Sequence, residues 1–175
     1  TLPIRPPVLC AGCPHRASFY AAKTASKNYE KIVFCGDIGC YTLGNAAPLN
    51  MVDTCLCMGA GITIAQGITL AEKGTKCIAF IGDSTFFHSG ISGVINAVYQ
   101  NTDITIAVFD NHTTAMTGGQ PHPGTGRTAM GMPAKPLDIE KILIACGIEH
   151  ISTVNPVKYE ETVDAFKKAI EHQGP

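Results

Sequence analysis

A chain of 175 residues fits one domain, long enough to bury roughly 70 % of its unfolded surface without disulfide support. With 13 Lys and Arg against 14 Asp and Glu, and only 15 % charged residues, it offers no basic field for nucleic acid or an anionic membrane. The apolar fraction is 45 %, yet Gly, Thr or a charge interrupts every hydrophobic run before the ~18 residues that a membrane span needs.

No charged leader with an apolar core opens the chain, and Thr1 in place of Met reads as a cut in a larger polypeptide. The 8 cysteines are spread through apolar stretches and Gly-rich turns, which suits a reducing, cytoplasmic setting better than a disulfide scaffold. Cys35, Cys77 and Cys146 read as small buried hydrophobes, whereas Cys10, Cys13, Cys40, Cys55 and Cys57 sit in polar or Gly-rich surroundings.

Residues 14–28, entered through Pro14 and carrying Phe19, Tyr20, Ala22 and Lys23, predict a first helix. Residues 31–35 (KIVFC) read as a short buried strand with a Gly-rich turn after it. The run 58–73 places Gly59, Ala60, Ile64, Gly67 and Ile68 on helical faces, small residues that admit another backbone. Residues 76–82 (KCIAFIG) predict a second strand, 88–100 a helix and 104–109 (ITIAVF) a third strand. Asp138 is placed to cap a helix over 138–146, and a last strand and helix are expected at 149–154 and 156–172. Strands that are apolar on both sides, separated by amphipathic helices, predict an α/β fold: a parallel sheet with helices on both faces.

Residues 111–136 break this alternation, with five Gly, four Pro and no periodicity. Loops that long in a compact domain are usually functional, and ligands of open α/β sheets bind outside the carboxyl ends of the strands. Gly82-Asp83-Ser84 closes one strand and Asp110-Asn111 closes the next, so both lie at that edge. Asp83 offers a hard anionic oxygen, Asn111 a neutral amide oxygen and Thr113 a backbone carbonyl, a donor set suited to Mg²⁺ beside phosphate oxygens. Gly82 permits a sharp turn, and the helix entered after Ser84 aims its first amides at the same place. Gly-Asp-Ser alone also occurs in ordinary turns; its pairing with a second strand end is what points to a cofactor.

Together the two strand ends resemble the GDG…NN signature of thiamin-diphosphate enzymes, with Ser84 in the third position and Asp110 in place of the first Asn. Thr117-Gly118-Gly119-Gln120 resembles the TGGQ of the 2-oxoacid:ferredoxin oxidoreductases. Cys10-Ala11-Gly12-Cys13-Pro14-His15-Arg16 resembles the CxGC opening of that family, in the form of its indolepyruvate-acting members. Asp37-Ile38-Gly39-Cys40 and the run from Asp53 to Ala60 fit the same group.

The resemblance implies a thiamin-diphosphate-binding fold, one domain over residues 1–175 of a larger subunit. It implies cofactor contacts from Asp37, Ile38, Gly39, Cys40, Gly82, Asp83, Ser84, Asn111, Thr113, Met116, Thr117 and Gly118, with Mg²⁺ on Asp83, Asn111 and Thr113. The implied reaction is oxidative decarboxylation of an aryl pyruvate to an acyl-CoA, with electrons passing to ferredoxin. A pyrimidine-binding domain supplying an activating Glu, and a second subunit, complete such an enzyme as a hetero-oligomer. A pyruvate or 2-oxoglutarate enzyme of the same family, or a non-redox thiamin-diphosphate decarboxylase, is the alternative.

The C-x₂-C pair at Cys10 and Cys13, with Cys40 following a strand, suits zinc, redox exchange or three legs of an iron-sulfur site. The resemblance implies the last, a [4Fe-4S] cluster whose fourth ligand lies outside these residues. His15, His88, His112 and His122 each read as hydrogen-bonded structural groups or as site residues, with His112 and His122 better placed to meet substrate. Arg16 either binds a carboxylate or is a surface charge. Met116 is placed to offer an apolar contact to an aryl group.

Overall fold

The structure, a computed structural model, describes residues 2–175; Thr1, where the sequence reading places a cut, lies outside the described residues. Strands β1 (Ile32–Cys35), β2 (Lys76–Gly82) and β3 (Thr105–Phe109) form a parallel sheet in the order β1-β2-β3. The register sets Phe34 beside Ile78 and Ile78 beside Thr105.

The central strand shows why both faces are covered. Side chains alternate across a sheet, so Ile78 and Phe80 enter one core and Cys77, Ala79 and Ile81 the other. Helices α1 (Pro14–Ala25) and α6 (Tyr159–Glu171) close the first core with Phe19, Val163 and Ile170. Helices α2 (Ala60–Ala71), α4 (Ile91–Tyr99) and α5 (Ile139–Ala145) close the second with Ile62, Val94 and Leu143. Truncating a sealed aromatic such as Phe80 to Ala would cost about 3–5 kcal/mol.

Helix α1 starts at Pro14, which needs no amide partner there, and Asp138 caps α5 by accepting the Lys141 N–H at 3.1 Å. The segment packs as its small residues predict at Gly59, where an added Cβ would stand 2.7 Å from the Ser89 carbonyl oxygen, and as closely at Gly61, 2.7 Å from the Gly36 carbonyl oxygen. Gly67 differs: it faces open space and admits no neighbouring backbone.

The helix expected at 88–100 begins earlier. A turn of α-helix, α3 (Asp83–Thr85), leaves β2 directly and passes through a π-helical turn at Phe86–Gly90 into α4. Residues 149–154 form no strand. Ile151 packs into the second core, but the backbone there meets no neighbouring strand, and a stretch rich in β-branched residues cannot become a strand without one. Among the described residues no helix is long and apolar enough to cross a membrane, and all eight cysteines are free.

Candidate cofactor site

A cleft of about 100 Å³ opens where β2 and β3 end. Four chain segments and one helix build it: Ile38 to Tyr41 after β1, Met58 before α2, Gly82 to Thr85 at the end of β2, Phe109 with Asn111 and Thr113 to Thr117 at the end of β3, and His15 from α1. Of the residues singled out in the sequence, Ile38, Gly39, Cys40, Gly82, Asp83, Ser84, Asn111, Thr113, Met116 and Thr117 line this cleft. Asp37 and Gly118 lie outside its lining.

Asp83 puts a carboxyl group at the floor of the cleft and is only 2 % exposed. Its Oδ1 accepts the Ser84 N–H at 2.7 Å, and its Oδ2 accepts the Asn111 N–H at 3.2 Å. Burial raises its pKa and the neighbouring Asp110 carboxyl raises it further, against the Ser84 amide and His122, which lower it. Asp83, Asp110 and His112 bring ligand atoms within 4.8 Å of one another, the one such group among the described residues. The Asn111 Oδ1 accepts the Thr113 N–H at 3.1 Å, which folds the loop back toward Asp83.

His122 does not face the cleft. It is buried, and its Nδ1 accepts the Gly124 N–H at 3.2 Å, so the ring proton lies on Nε2 and is donated to Asp83 Oδ2 at 3.0 Å. His112 is exposed and holds Asp110 at 2.6 Å, and His88 is exposed on the π-helical turn. The histidine that lines the cleft is His15, stacked 5.3 Å from Phe109, with neither ring nitrogen partnered. Burial lowers its pKa, so it is a neutral donor and acceptor awaiting a partner.

Arg16 meets no carboxylate; it is an exposed charge, the second of the two roles expected of it. Its guanidinium donates to the Cys10 carbonyl at 3.0 Å and to the Leu9 carbonyl, pinning the segment that carries Cys10 and Cys13. Asp37 likewise acts on backbone: it accepts the Ile38 N–H at 2.6 Å and the Gly59 N–H at 2.7 Å, tying the turn after β1 to the start of α2.

Tyr41 gives the glycines their reason. Its ring lies so close that a Cβ on Gly39 would stand 2.4 Å from it and one on Gly82 2.6 Å. The hydroxyl donates to the Ile38 carbonyl at 3.1 Å and pairs with Thr85 Oγ1 at 3.2 Å; burial pushes its pKa up to about 12. The sequence reading missed Tyr41, Thr85 and Thr114, whose hydroxyl donates to Ser84 Oγ at 2.7 Å. Tyr41 directly follows the Asp37 to Cys40 motif, the one signal that marked it.

Thr117-Gly118-Gly119-Gln120 closes on itself. The Thr117 hydroxyl donates to Gln120 Oε1 and Gln120 Nε2 donates to the Thr117 carbonyl, both at 2.6 Å, around glycines at φ 119 and 81. Only glycine takes that left-handed pair without strain.

At the cleft mouth Cys40 feels both Cys13 and Cys10: burial raises its pKa first and the two neighbouring thiols raise it further. Cys10 and Cys13 sit on one turn, the Cys13 N–H donating to the Cys10 carbonyl at 3.2 Å. The three sulfurs share a locality without the close gathering that one metal ion would require. Cys55 and Cys57 are both exposed.

The donor set fits a divalent cation and a diphosphate. A buried carboxylate whose charge burial disfavours, a second carboxyl beside it, and a half-buried amide loop are stabilised by a hard cation. The unpartnered nitrogens of His15 supply hydrogen bonds to a polar ligand.

The family model of the thiamine pyrophosphate enzyme C-terminal TPP-binding domain matches residues 21–175. The indolepyruvate oxidoreductase subunit IorA of Archaeoglobus fulgidus is 47 % identical over 172 residues, covering 98 % of this chain and 27 % of that protein. Its namesake in Methanothermobacter thermautotrophicus is 47 % identical over 176 residues, covering 98 % of this chain and 28 % of that protein. The chain therefore spans little more than a quarter of these relatives. A solved structure, the 2-oxoglutarate:ferredoxin oxidoreductase from Magnetococcus marinus, superposes with a TM-score of 0.83 over 97 % of this chain and 62 % of that one. At 21 % identity it shows the shared fold. With the family match running from residue 21 to residue 175, the chain belongs to the thiamine pyrophosphate enzymes and is built as their C-terminal TPP-binding domain.

Proposed function

We propose that this chain is the Mg²⁺–thiamin-diphosphate-binding domain of an indolepyruvate-type 2-oxoacid:ferredoxin oxidoreductase. The observation that carries the proposal is Asp83, a nearly sealed carboxylate at the end of β2 with Asn111 and Thr113 beside it at the end of β3. The 47 % identity to IorA subunits directs it toward aryl pyruvates. The whole reaction would take a 2-oxoacid, CoA and two oxidised ferredoxins to an acyl-CoA, CO₂, a proton and two reduced ferredoxins.

Asp83, Asn111 and the Thr113 carbonyl would hold Mg²⁺, and Ser84 with the first amides of α3 would meet the diphosphate. When bound, thiamin diphosphate supplies the electron sink for loss of CO₂. The chain's own part is to anchor and orient. Tyr41 closes the inner wall against water, His15 offers a neutral hydrogen bond, and Ile38, Met58 and Met116 present exposed apolar side chains at the cleft rim. The activating Glu is expected from a pyrimidine-binding domain. Cys10, Cys13 and Cys40 would be three ligands of a [4Fe-4S] cluster, with the fourth, the second subunit and ferredoxin meeting them in a cytoplasmic hetero-oligomer.

Isothermal titration of thiamin diphosphate with and without Mg²⁺ tests the core of this reading. Saturable, Mg²⁺-dependent binding that Asp83→Ala abolishes is the expected result; equal binding in wild type and variant without metal refutes it. In the complete complex, an assay with CoA and ferredoxin across indolepyruvate, phenylpyruvate, pyruvate and 2-oxoglutarate reads the substrate class.

A further inference from the structure

The chain carries 6 histidines, and two of them have no place in the cofactor site. His150 and His172 do not line the cleft. They meet each other instead, with ring centroids 3.8 Å apart and planes inclined at 45°.

The fold brings them together from opposite faces of the sheet. Gly147 turns the chain out of α5 at φ 97, and His150 then stands between Ile148 and Ile151, both packed into the second core. His172 ends α6, where its N–H donates to the Lys168 carbonyl at 3.0 Å and Ile170 is sealed in the first core. Burial on either side thus holds the backbone of both residues. The meeting point lies near the start of β3, opposite the cofactor cleft: the Thr105 hydroxyl donates to the Ala169 carbonyl at 3.1 Å, and a Cβ added to Gly174 would stand 3.4 Å from Asn101 Oδ1 and 3.7 Å from His172 Nε2.

The other loop histidines have partners. His112 and His122 pair with carboxylates at 2.6 and 3.0 Å, whereas among the described residues neither His150 nor His172 does. Ring faces in contact leave the nitrogens of both imidazoles to other ligands. Glu149 adjoins one histidine and Glu171 the other, and all four residues line one groove. No three of these four offer ligand atoms within 4.8 Å of one another, so the glutamates contribute negative charge to the groove and the two imidazoles the donor atoms.

We infer that His150 and His172 form a binding site for a late first-row divalent cation such as Zn²⁺ or Ni²⁺, with one nitrogen from each ring and water in the remaining positions. Neutral imidazole suits these ions, while Mg²⁺ keeps to oxygen ligands. At the usual Zn–N length, two nitrogens in a tetrahedral shell stand about 3.3 Å apart. The rings reach that arrangement by splaying about their side-chain torsions, which His150, exposed, and His172, half-buried, are free to do. The ion ties the segment after α5 to the end of α6. None of this rests on the cofactor or on the 2-oxoacid.

Carbethoxylation by diethyl pyrocarbonate, read peptide by peptide in a mass spectrometer, reports whether a histidine nitrogen is free. The complete subunit is stripped with a chelator and divided, and one half is restored with Zn²⁺. His150 and His172 are expected to react in the stripped half and to be protected together in the restored half. His88, exposed on the π-helical turn, should react in both, and Mg²⁺ should protect neither member of the pair. In His150→Ala, Zn²⁺ should no longer protect His172, and in His172→Ala it should no longer protect His150. Zn²⁺ should also raise the melting temperature of wild type more than that of either variant, because thiol sites are common to all three. Equal modification of the pair with and without Zn²⁺ overturns the inference, since rings that merely pack together give that result. So does protection of one histidine after the other has been replaced.

Discussion

His122 reaches back across 39 residues of chain to place Nε2 3.0 Å from Asp83 Oδ2, both side chains almost sealed from water. Phe87 stacks on the imidazole at 5.6 Å, and the Gly124 amide fixes its tautomer. The middle of the Gly- and Pro-rich loop is thus tethered to the residue proposed to hold the cation. Groups of this kind orient ligands, and their loss typically lowers metal affinity about 10- to 100-fold. His122→Ala is expected to weaken Mg²⁺-dependent thiamin-diphosphate binding by that factor in calorimetry. An unchanged affinity would assign His122 to loop packing alone.

The raised pKa of Asp83 has a stability consequence with a definite sign. A carboxyl whose folded pKa lies above its unfolded value of 3.8 contributes stability below that pH and loses it as pH rises through the folded value. In the absence of metal, wild type should therefore lose more stability between pH 4 and neutrality than Asp83→Asn. The difference between their melting temperatures, measured without Mg²⁺ at a series of pH values, should shift in the variant's favour as pH rises. Mg²⁺ with thiamin diphosphate should raise only the wild-type melting point, since ligand binding stabilises the folded state by mass action. A pH-independent difference would show that the carboxyl titrates alike folded and unfolded.

His15 gives a second pairing of stability against binding. Its two buried nitrogens lack partners, and each such group costs about 1–3 kcal/mol. His15→Phe keeps a ring against Phe109 and should raise the melting temperature of the ligand-free chain. It should also lessen acid sensitivity, because a buried neutral histidine with a lowered pKa loses stability as pH falls through and below 6.5. The same variant should bind Mg²⁺–thiamin diphosphate about 10-fold more weakly, the loss of one hydrogen bond worth ~1.4 kcal/mol. Tighter or equal binding would remove His15 from the ligand's surroundings.

Much of this arrangement was legible in the chain itself. The apolar run from Cys77 to Ile81 reads as a buried strand, and a Gly-Asp pair at its end falls at the sheet's carboxyl edge. What escaped depends on contacts between distant residues. Tyr41 matters because its ring fills the space left by Gly39 and Gly82, and that meeting is invisible until the turn after β1 is laid against β2. His122 reads from sequence either as a hydrogen-bonded structural group or as a residue meeting substrate, and nothing local chooses the first by showing that the loop folds back onto Asp83. Residues 149–154 have a strand's composition, but pairing is supplied by a neighbour and not by composition.

The cysteines offer a test that does not pass through cofactor binding. Cys40 has a pKa raised by burial and by the Cys13 and Cys10 thiols, a repulsion that a bound cluster would turn into attraction. In the full subunit purified without oxygen, Cys10→Ser, Cys13→Ser and Cys40→Ser should each lower iron content and absorbance near ~400 nm, the region of thiolate-bound clusters. Iron unchanged in all three would place the cluster ligands elsewhere.

Met116 is 48 % exposed and lines the cleft within the ordered loop after β3. Neighbouring backbone bonds hold that loop: the Thr114 N–H donates to the Gln120 carbonyl at 3.0 Å and the Gly118 N–H to the Ala115 carbonyl at 3.1 Å. The fold therefore has no need of the thioether itself, and its apolar surface is left at the cleft mouth. A polarizable thioether against an aromatic ring is worth about 0.3–1.5 kcal/mol, and a change in apolar filling of a pocket about 1–3 kcal/mol. An indole ring gains from such a contact and a methyl group does not. Met116→Ala, compared with wild type in the complete complex, should lower kcat/KM for indolepyruvate about 10- to 200-fold relative to pyruvate. The melting temperature should stay within a few degrees, because the side chain is already half in water. A ratio that does not move would show that the aryl group is gripped from another domain, and a large fall in melting temperature would show that Met116 packs the loop.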